Sequence, residues 1–523
     1  YVPEMKGDLD TFEVIEQMGG NSLPVSKFLN SSDGSLEAGT SKREKRNISD
    51  TCPHYDPENC INCGLCSLVC PHAVVRPFLL DENEALDAPD TLASKLMDAN
   101  IKDCNLKYTI GISYPDCTGC SLCSNICPGK KGKKALTMVD KDQITRDEYV
   151  NSNYLFNEVT EKRVMTTDTV KGSQFRTPKF EFSGACSGCG ETPYLKLLTQ
   201  LFGDNLVIAN ATGCSSIYGA SNPSSPYSVP WANSLFEDNA EFGYGMRIAD
   251  DALKNRIVTL INDNIDKVKK SEAKIYKAYA ADINIETADK LYNIVDNTKI
   301  DELKSLKSFI KPKSIWTVGG DGWAYDIGYN GIDHVLASHD NVNILVLDTE
   351  VYSNTGGQAS KSTRKGAVAK FAASGKNVAK KDLAKIALTY PHVYVGTISL
   401  GFNPQQAIKV LKEAEAYNGP SIVIAYSPCI AQGILKGMNN SIEEEKMATK
   451  VGYFPLFHFN PETSKFSLDS KADFTNYIEF LSGENRYRSL KNVNNDYKKL
   501  LEDNKKEAME RYDYYQSLVN KEQ

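Results

Sequence analysis

Residues 315–358 read IWTVGGDGWAYDIGYNGIDHVLASHDNVNILVLDTEVYSNTGGQ, and this stretch decides the fold. An apolar, β-branched run at 315–318 breaks into Gly-Gly-Asp-Gly. Helical spacing follows, and a second apolar run at 342–347 ends in Asp-Thr-Glu. This order is typical of a βαβ unit, in which ligands bind beyond the carboxyl ends of the parallel strands. We therefore predict that the polar loops after the two runs face one crevice.

The first of these loops has the composition of a diphosphate site. Gly320 and Gly322 lack a Cβ, so a diphosphate can approach the backbone N–H groups at the start of the next helix. Asp321 supplies a carboxylate, and the second loop supplies the Thr349 hydroxyl and main-chain carbonyls around Val351. With two phosphate oxygens these groups form the oxygen shell that Mg²⁺ prefers. The alternative is a glycine-rich turn before an ordinary strand.

The two loops together resemble the thiamine diphosphate (TPP) motif, in which Gly-Asp-Gly is followed at a set distance by Asn, here Asn354. The common form ends in Asn-Asn, whereas residues 348–358 read DTEVYSNTGGQ. That longer string resembles the TPP domain of pyruvate:ferredoxin oxidoreductase. The resemblance implies an α/β TPP-binding fold with a mostly parallel sheet flanked by helices.

Two copies of a cysteine motif precede this unit, CINCGLCSLVCP at 60–71 and CTGCSLCSNICP at 117–128. Bacterial two-cluster ferredoxins use this spacing, and the fourth cysteine of each run ligates the other cluster. The predicted ligands of one 4Fe-4S cluster are Cys60, Cys63, Cys66 and Cys127, and those of the second are Cys117, Cys120, Cys123 and Cys70. The alternative is a pair of zinc sites, although zinc does not require four cysteines so closely spaced.

Three more cysteines lie in Gly/Ser-rich segments, two in CSGC at 186–189 and Cys214 in ATGCSSIYG. A lone CxxC leaves zinc, a redox dithiol and chance open. Cys429, which follows an apolar run at 421–426, would complete a group of four. Of the 14 cysteines, this leaves only Cys52 and Cys104, which we interpret as structural. The family that the TPP string resembles has a third 4Fe-4S cluster beside TPP. The resemblance thus implies its ligands here, namely Cys186, Cys189, Cys214 and Cys429.

The resemblance extends over nearly all 523 residues and implies further site residues. The positions that match TPP-contacting residues of the family are Glu191, Cys214 (main chain), Gly320, Asp321, Gly322, Trp323, Thr349, Glu350, Val351, Tyr352, Ser353 and Asn354. The implied Mg²⁺ ligands are Asp321, Thr349 and Val351. Asn354 also matches a residue tied to catalysis near the reacting carbon. The alternative for Glu191 is a surface carboxylate.

We predict a connector arm at 1–50 that drapes over a surface, a small α+β two-cluster ferredoxin-like domain at 51–160, and a TPP-binding domain at 161–523. The last contains the proximal cluster and ends in a helical tail from about 470 that clasps a neighbouring surface.

Smaller segments also have predicted roles. We expect an acidic insertion at 78–112 and a link at 135–180. We expect an exposed helical hairpin at 250–312, and at 355–375 a loop followed by a helix that closes over the cofactor. His72 is expected to face solvent. The basic run at 130–134 is either a solvated face or a docking site for an acidic ferredoxin.

Composition limits the function classes. A net charge of -7 gives no reason to expect nucleic acid, and no apolar run approaches the ~20 residues that span a bilayer. In a chain of this length, tight CxxC groups favour metal ligation in a reducing compartment over disulfides. We expect a cytoplasmic protein, or one in a hydrogenosome-like organelle of an anaerobic eukaryote.

The resemblance implies oxidative decarboxylation of pyruvate with coenzyme A to acetyl-CoA and CO2. Electrons would pass from TPP through three 4Fe-4S clusters to ferredoxin or flavodoxin, in a homodimeric enzyme. In the family, the carboxylate that activates TPP belongs to a separate, N-terminal pyrimidine-binding domain, and no second TPP-type domain occurs in this sequence. The chain also begins with Tyr1. We therefore expect the C-terminal half of a longer polypeptide, or one subunit of a complex.

Three alternatives remain open. One is a related enzyme that acts on another 2-oxo acid, and a second is a pyruvate:NADP oxidoreductase with an additional flavin module. The third, from a different class, is an electron-transfer or assembly protein that has kept the clusters and lost catalysis.

Overall fold

A computed structural model describes residues 10–220 and 223–519. Residues 1–9 of the predicted connector arm, residues 221–222, and residues 520–523 of the predicted tail lie outside the described residues. No helix in the described part of the chain combines the length and the apolar character needed to cross a membrane.

The described part of the connector arm begins with α1 (Thr11–Glu16) and continues in short 3₁₀ turns. It lies on the large domain. The Gly39 N–H donates to the Tyr227 carbonyl (2.7 Å), and the Ser41 hydroxyl donates to the Glu181 carbonyl (2.7 Å). The arm therefore covers a surface of its own chain.

The cysteine-rich region forms two small antiparallel sheets. Its strands are β1 (Thr51–Tyr55), β2 (Val75–Leu80), β3 (Met97–Asp98), β4 (Lys107–Ile112) and β5 (Leu136–Asp140). β1 pairs with β5, and β4 pairs with both β2 and β3. The helices from this region to the start of the large domain are α2 (Leu65–Leu68), α3 (Glu82–Leu86), α4 (Asp90–Ala93), α5 (Leu122–Ile126), α6 (Arg146–Asn157) and α7 (Val170–Gln174).

Two segment predictions differ from this arrangement. The predicted insertion 78–112 contains β4, which is the central strand of its sheet, and the predicted link 135–180 begins with β5, the partner of β1. Tyr108 and Ile110 of β4 are buried although acidic residues flank the segment. The sequence pattern could not reveal these strands because their partners lie far away along the chain.

The large domain contains a sheet of eight strands within the described residues. These are β6 (Leu206–Ala211), β7 (Trp231–Ser234), β8 (Ser314–Gly320), β9 (Asn343–Asp348), β10 (Tyr394–Ile398), β11 (Ser421–Tyr426), β12 (Phe457–Asn460) and β13 (Lys465–Leu468). Their order is β13-β12-β10-β11-β9-β8-β6-β7, with antiparallel pairing only at β12 and β13. The predicted α/β fold with a mostly parallel sheet is confirmed.

Helices cover both faces of this sheet, so its central strands are buried on both sides. Ile344 and Ile424 belong to the core on one face, and Leu345 and Val423 belong to the core on the other. The helices of the domain are α8 (Thr192–Phe202), α9 (Cys214–Gly219), α10 (Asn239–Asp263), α11 (Ala273–Ala281), α12 (Ile285–Ile294), α13 (Asp301–Ser305), α14 (Tyr329–Leu336), α15 (Leu383–Ala387), α16 (Pro404–Ala416), α17 (Ser441–Lys450), α18 (Tyr477–Ser482), α19 (Asn485–Arg488), α20 (Leu490–Val493) and α21 (Tyr497–Val519).

The segment 250–312 is not the exposed hairpin that we expected. The end of α10 and helices α11 to α13 enclose a separate apolar core, in which Ile261, Tyr276, Tyr279 and Leu291 are fully buried. The lysine-rich pattern obscured this core because long charged side chains cover its outer surface.

The predicted helix within 355–375 does not form. This segment consists of turns and isolated bridges, among them one between Gln358 and Lys370. Lys376 holds the segment in place, since its ammonium donates to the carbonyls of Ser360 (2.7 Å) and Thr363 (2.6 Å). These main-chain acceptors are not available in a helix, where they would bond to N–H groups.

The tail packs on its own chain. The Tyr515 ring of α21 lies against Phe457 and Phe466 of the sheet, and Asn504 donates to the Lys365 carbonyl (2.7 Å). The surface that the tail clasps is therefore the edge of the same domain.

Candidate cofactor site

A cleft lies at the carboxyl ends of β6, β8 and β9. It is open to solvent and has a volume of about 550 Å³. The residues predicted to contact the cofactor that line it are Glu191, Cys214, Gly320, Asp321, Gly322, Trp323, Thr349, Val351, Tyr352, Ser353 and Asn354. Thr212, Gly213, Phe236 and Thr355 also line it and were missed by sequence reasoning. The two polar loops do face one crevice, as expected from strand order.

The Asp321 carboxylate lies buried at the base of this cleft. One oxygen accepts a hydrogen bond from the Thr349 hydroxyl (2.9 Å), and the other accepts from the Ser360 hydroxyl (2.5 Å). Burial, and then the charge of Asp348, raise the pKa of Asp321 to about 8, whereas the two hydroxyls and Lys380 oppose this rise. A carboxylate so short of positive charge is a good ligand for a cation.

The Thr349 side chain joins the two loops. Its hydroxyl also lies 3.0 Å from the Val351 carbonyl and 2.8 Å from the Ser353 hydroxyl. Asp321, Thr349 and Val351 thus bring three hard oxygen donors together, which fits the ligand set that Mg²⁺ requires. The structure places these predicted ligands together.

The turn after Asp321 is unusual. Residues Gly322–Ile327 form a π-helix, a conformation that often marks functional sites. The Tyr352 hydroxyl donates to the Gly322 carbonyl (3.2 Å), and a Cβ at Gly322 would collide with the Tyr352 ring. A Cβ at Gly320 would have only the Leu347 carbonyl oxygen within 4 Å, at 3.9 Å, and Gly320 lines the cleft. The missing side chain at Gly320 leaves room at the cleft, whereas the missing Cβ at Gly322 makes room for the Tyr352 ring, and phosphate binding at these glycines stays a prediction.

Glu191 is buried, so the surface alternative for it is wrong. It lies directly before α8, and its carboxylate accepts from the Tyr218 hydroxyl (2.8 Å). Burial raises the pKa of Glu191 to about 7, and the Tyr218 bond opposes that rise. Its carboxyl group can therefore exchange a proton near neutral pH.

Glu350 does not line the cleft, although the resemblance implies that it contacts TPP. Its fully buried carboxylate pairs with Arg364 (3.0 Å), Lys380 (3.0 Å) and Arg486 (2.9 Å). Burial opposes ionisation, but these three cations hold the pKa of Glu350 well below its usual range. Its backbone has a φ of 60°, in the left-handed region. The buried Glu350 carboxylate therefore holds the loop after β9 in place from the side away from the cleft.

Asn354 and Trp323 occupy opposite environments in the cleft. Asn354 is exposed where the loop opens to solvent. Trp323 is buried, and its indole N–H has no hydrogen-bond partner among the described residues.

The structure gathers the first predicted set of cysteines. Burial raises the pKa of Cys63, and the charges of Cys60 and Cys127 add to the effect. Burial and the charges of Cys63, Cys60 and Cys127 raise that of Cys66. Charges act on one another in this way over several ångströms, so these four thiols are neighbours. These four thiols thus form one group.

The second set also lies together. Burial and the charges of Cys120, Cys70, Cys66 and Cys117 raise the pKa of Cys123. Burial and the charge of Cys70 raise that of Cys120 to about 12. Cys70, the fourth cysteine of the first run, thus lies near the second group, and its assignment to the second cluster by the ferredoxin pattern stays a prediction.

The third set borders the cleft. Burial raises the pKa of Cys214, followed by the charges of Glu191, Cys429, Cys189 and Cys186. Cys214 itself lines the cleft, and the Cys429 thiol lies 3.4 Å from the Ser353 hydroxyl. This group of thiols is therefore in contact with the loop that contains Thr349.

Hydrogen bonds to sulfur fit these groups to iron-sulfur clusters. Backbone N–H groups donate to Cys70 (from Val74, 3.3 Å) and to Cys127 (from Ala135, 3.3 Å). All 14 cysteines lie within the described residues, and none forms a disulfide there. The charge of Cys52 also acts on Cys117, so a purely structural role for Cys52 and Cys104 stays a prediction. Four free thiols with main-chain donors are what a cubane cluster requires. Over residues 10–220 and 223–519, no three His, Cys, Asp or Glu side chains converge as they would on a single metal ion.

His72 is buried, so the prediction that it faces solvent is wrong. Its Nε2 lies 3.0 Å from the Ala185 carbonyl, and its Nδ1 lies 3.4 Å from the Thr118 hydroxyl. Burial lowers its pKa to about 4. The imidazole therefore stays neutral between the second and third groups of thiols.

Sequence reasoning also missed Lys196, a buried lysine of α8. Burial lowers the pKa of Lys196 to about 8, whereas the charge of Cys70 opposes that effect. The sequence signal that could have predicted its burial is the position of this lysine on the apolar face of an amphipathic helix. Ser360 was missed because it follows the TPP motif in a segment without periodicity.

Three family matches cover separate parts of the chain. Residues 305–425 match "Thiamine pyrophosphate enzyme, C-terminal TPP binding domain", and residues 53–76 match "4Fe-4S binding domain". Residues 10–49 match the EKR family, "Domain of unknown function". A TPP-binding domain and a 4Fe-4S domain are thus present.

Longer relatives align over most of the chain. Pyruvate:ferredoxin oxidoreductase of Moorella thermoacetica is 48% identical over 91% of this chain and 42% of its own length. Pyruvate-flavodoxin oxidoreductase of Nostoc sp. is 43% identical over 96% and 44%. The mitochondrial pyruvate dehydrogenase [NADP(+)] of Euglena gracilis is 42% identical over 91% and 27%. The chain spans less than half the length of these relatives.

Proposed function

Because the chain belongs to the family of pyruvate:ferredoxin and pyruvate:flavodoxin oxidoreductases, we propose that it contributes the TPP and electron-transfer domains to oxidative decarboxylation of pyruvate with coenzyme A. The products are acetyl-CoA and CO2, and the electrons go to ferredoxin or flavodoxin. One observation carries the proposal most directly. The Cys429 thiol lies 3.4 Å from Ser353, whose hydroxyl is 2.8 Å from that of Thr349, an implied magnesium ligand.

We assign the cofactor contacts as follows. Asp321, Thr349 and the Val351 carbonyl would hold Mg²⁺, and the backbone at Gly320 and Gly322 would hold the diphosphate. When bound, TPP supplies an electron sink for decarboxylation of a 2-oxo acid, and 4Fe-4S clusters take up single electrons. Asn354 orients the reacting end of the substrate at the opening of the cleft. The buried Glu350 charge keeps the magnesium loop rigid.

Contacts at the domain junction support an order for the three proposed clusters. The Gly188 N–H, within the 186–189 loop, faces Cys120 and lowers the pKa of its thiol, against the larger effect of burial. The Ser187 hydroxyl donates to the Thr118 carbonyl (3.0 Å). We propose that the third group of thiols would hold the cluster nearest the cleft and that Cys70, Cys117, Cys120 and Cys123 would hold the next. Cys60, Cys63, Cys66 and Cys127 would hold the cluster that faces the external acceptor.

A second TPP-type domain is needed for turnover. The rim of the cleft is apolar and exposed at Leu235 (61%) and Ile430 (63%), each next to a residue of the cleft or of the third group of thiols. Exposed apolar surface of this kind marks an interaction site. We propose that a pyrimidine-binding domain, outside the 523 residues or on a partner chain, covers this rim and supplies the carboxylate that activates TPP. In keeping with the family, we propose a homodimer.

The deciding experiment is a binding titration under anaerobic conditions. The chain should bind TPP only with Mg²⁺, and Asp321→Asn should weaken that binding by a factor of about 10 to 100, since a ligand is lost. Asp340→Asn, which changes a carboxylate bonded to Tyr244 away from the cleft, is the matched control. Equal binding by wild type and Asp321→Asn would exclude the TPP role and favour a protein that only transfers electrons.

Substrate and acceptor need the completed enzyme. We propose pyruvate over other 2-oxo acids because the relatives named above are all named for it. The Euglena relative is named for NADP, so NADP reduction is the alternative outcome of an acceptor assay. Thiolate ligands require a reducing compartment, for which we propose the cytoplasm.

A further inference from the structure

Lys196 is a fully buried lysine at the junction of the two domains. It lies on α8, which begins three residues after Cys189. Its ammonium crosses to the ferredoxin-like region and donates to the main-chain carbonyls of Ser67, Leu68 (3.0 Å) and Cys70 (3.1 Å). Those carbonyls belong to the end of α2 and the turn after it. One side chain therefore bonds both to the negative end of a short helix and to the main chain of a cluster ligand.

This ammonium has no carboxylate partner in the described part of the chain. The charges that act on it are those of Cys70, Arg76 and Cys66, and Arg76 is itself a cation paired with Glu181. Burying a lone cation is costly, and carbonyl dipoles offset only part of that cost. A buried cation of this kind calls for a nearby anion.

The two ferredoxin-type cysteine groups provide that anion. Cys66 belongs to the first group and Cys70 to the second, and both act on Lys196. A cubane cluster with four thiolates has a net negative charge, and its charge and hydrogen bonds set its reduction potential. We infer that the Lys196 ammonium is the counter-charge of these two clusters and holds their reduction potentials up. The inference rests on the proposed function, because it assumes clusters at these cysteines.

The direction of the effect follows from the charge. Reduction adds one electron to a cluster and moves no proton, so the cluster becomes more negative beside a fixed cation. The cation stabilises the reduced form more than the oxidised form, which raises the potential. Lys196 lies on α8, seven residues after Cys189 of the third group of thiols, so it favours electron flow from the cleft into the ferredoxin-like domain. Lys196 acts through the reduction potentials of the clusters and does not contact substrate.

Potentiometric EPR of the anaerobically reconstituted chain, reduced with dithionite, tests this inference. Lys196→Met and Lys196→Gln remove the charge, whereas Lys196→Arg keeps it. The neutral variants should lower the potential of at least one ferredoxin-type cluster, while Lys196→Arg should stay close to wild type. Lys179→Met is the matched control, because Lys179 also donates to a carbonyl at the end of α8 (Gly203, 3.1 Å) but pairs with Asp204.

Each outcome decides the matter. Lower potentials in the neutral variants, or loss of iron in them but not in Lys196→Arg, would support the counter-charge. Unchanged potentials in the neutral variants, or equal loss of iron in Lys196→Arg, would overturn it. If wild type itself holds no iron, the proposed function fails, which is a separate result from failure of this inference.

Discussion

The Thr349 hydroxyl lies 2.9 Å from a carboxylate oxygen of Asp321, although 28 positions separate the two residues. The first loop follows β8 and the second follows β9, and these strands are parallel neighbours. Their carboxyl ends therefore bring the aspartate and the hydroxyl to one edge of the sheet. The shared hydroxyl fixes the carboxylate before any cation arrives.

Replacing Thr349 with Val should weaken Mg²⁺-dependent TPP binding by about 10- to 100-fold, since the cation loses a ligand and Asp321 loses a donor. Calorimetric titration at fixed Mg²⁺ measures this change. Thr389→Val removes a hydroxyl that, among the residues the structure describes, bonds only to the Ile386 carbonyl, and it should bind as wild type does. Unchanged affinity in Thr349→Val would remove this hydroxyl from the magnesium site.

Replacing Cys429 with Ser should remove one cluster and leave two. Iron should fall from about twelve to about eight atoms per chain, because each cubane holds four irons. Iron analysis and EPR of the anaerobic protein measure the loss, and the ferredoxin-type signals should persist. Cys104→Ser, outside the three groups, should retain all of the iron. Full iron content in Cys429→Ser would show that the third group does not hold a cluster.

Glu350→Gln should destabilise the large domain rather than abolish cofactor contacts. Removing the anion leaves Arg364, Lys380 and Arg486 buried together, and breaking a buried pair in this way costs ~3–5 kcal/mol. Urea unfolding measures the change. Glu286→Gln, at an exposed pair with Lys290, is the control and should unfold like wild type. A stable Glu350→Gln with much weaker TPP binding would instead place this carboxylate at the cofactor.

Glu445 makes stability depend on pH. Burial raises its pKa from 4.5 to about 8, although the Gly401 N–H (2.7 Å) and the Tyr194 hydroxyl (3.2 Å) oppose this. The folded chain thus keeps a proton that the unfolded chain loses. The stabilisation is complete below the unfolded pKa and falls by about 1.4 kcal/mol per pH unit until the folded pKa is reached.

Glu445→Gln should remove the part of the pH dependence of stability that is due to Glu445. Melting temperatures measured between pH 4.5 and about pH 8 test this. The stability of Glu445→Gln relative to wild type should therefore rise with pH. Glu443→Gln changes an exposed neighbouring carboxylate paired with Lys446 and should keep the wild-type slope. If the slope of Glu445→Gln equals that of wild type, Glu445 is already ionised in the folded chain.

The sequence alone determined the elements whose signal is local. The spacing within each cysteine run predicted the ferredoxin-like groups of thiols. The apolar runs, and the polar loops with Gly-Asp-Gly and Asn354 that follow them, predicted the mostly parallel sheet and the crevice. These patterns work because a few adjacent residues must satisfy one ligand or one buried strand. The burial of His72 and Lys196 could not be predicted in this way, since a single polar residue gives no periodic signal.

Tertiary structure decided what depends on distant partners. Only the packed chain shows that Glu350 faces three cations, that Ser360 donates to Asp321, and that the 186–189 loop meets Cys120. The strands β4 and β5, and the missing helix in 355–375, likewise depend on pairing with remote segments. The physical reason is that burial and electrostatic pairing depend on which surfaces pack together. Contacts between segments far apart in the sequence leave no local sequence pattern.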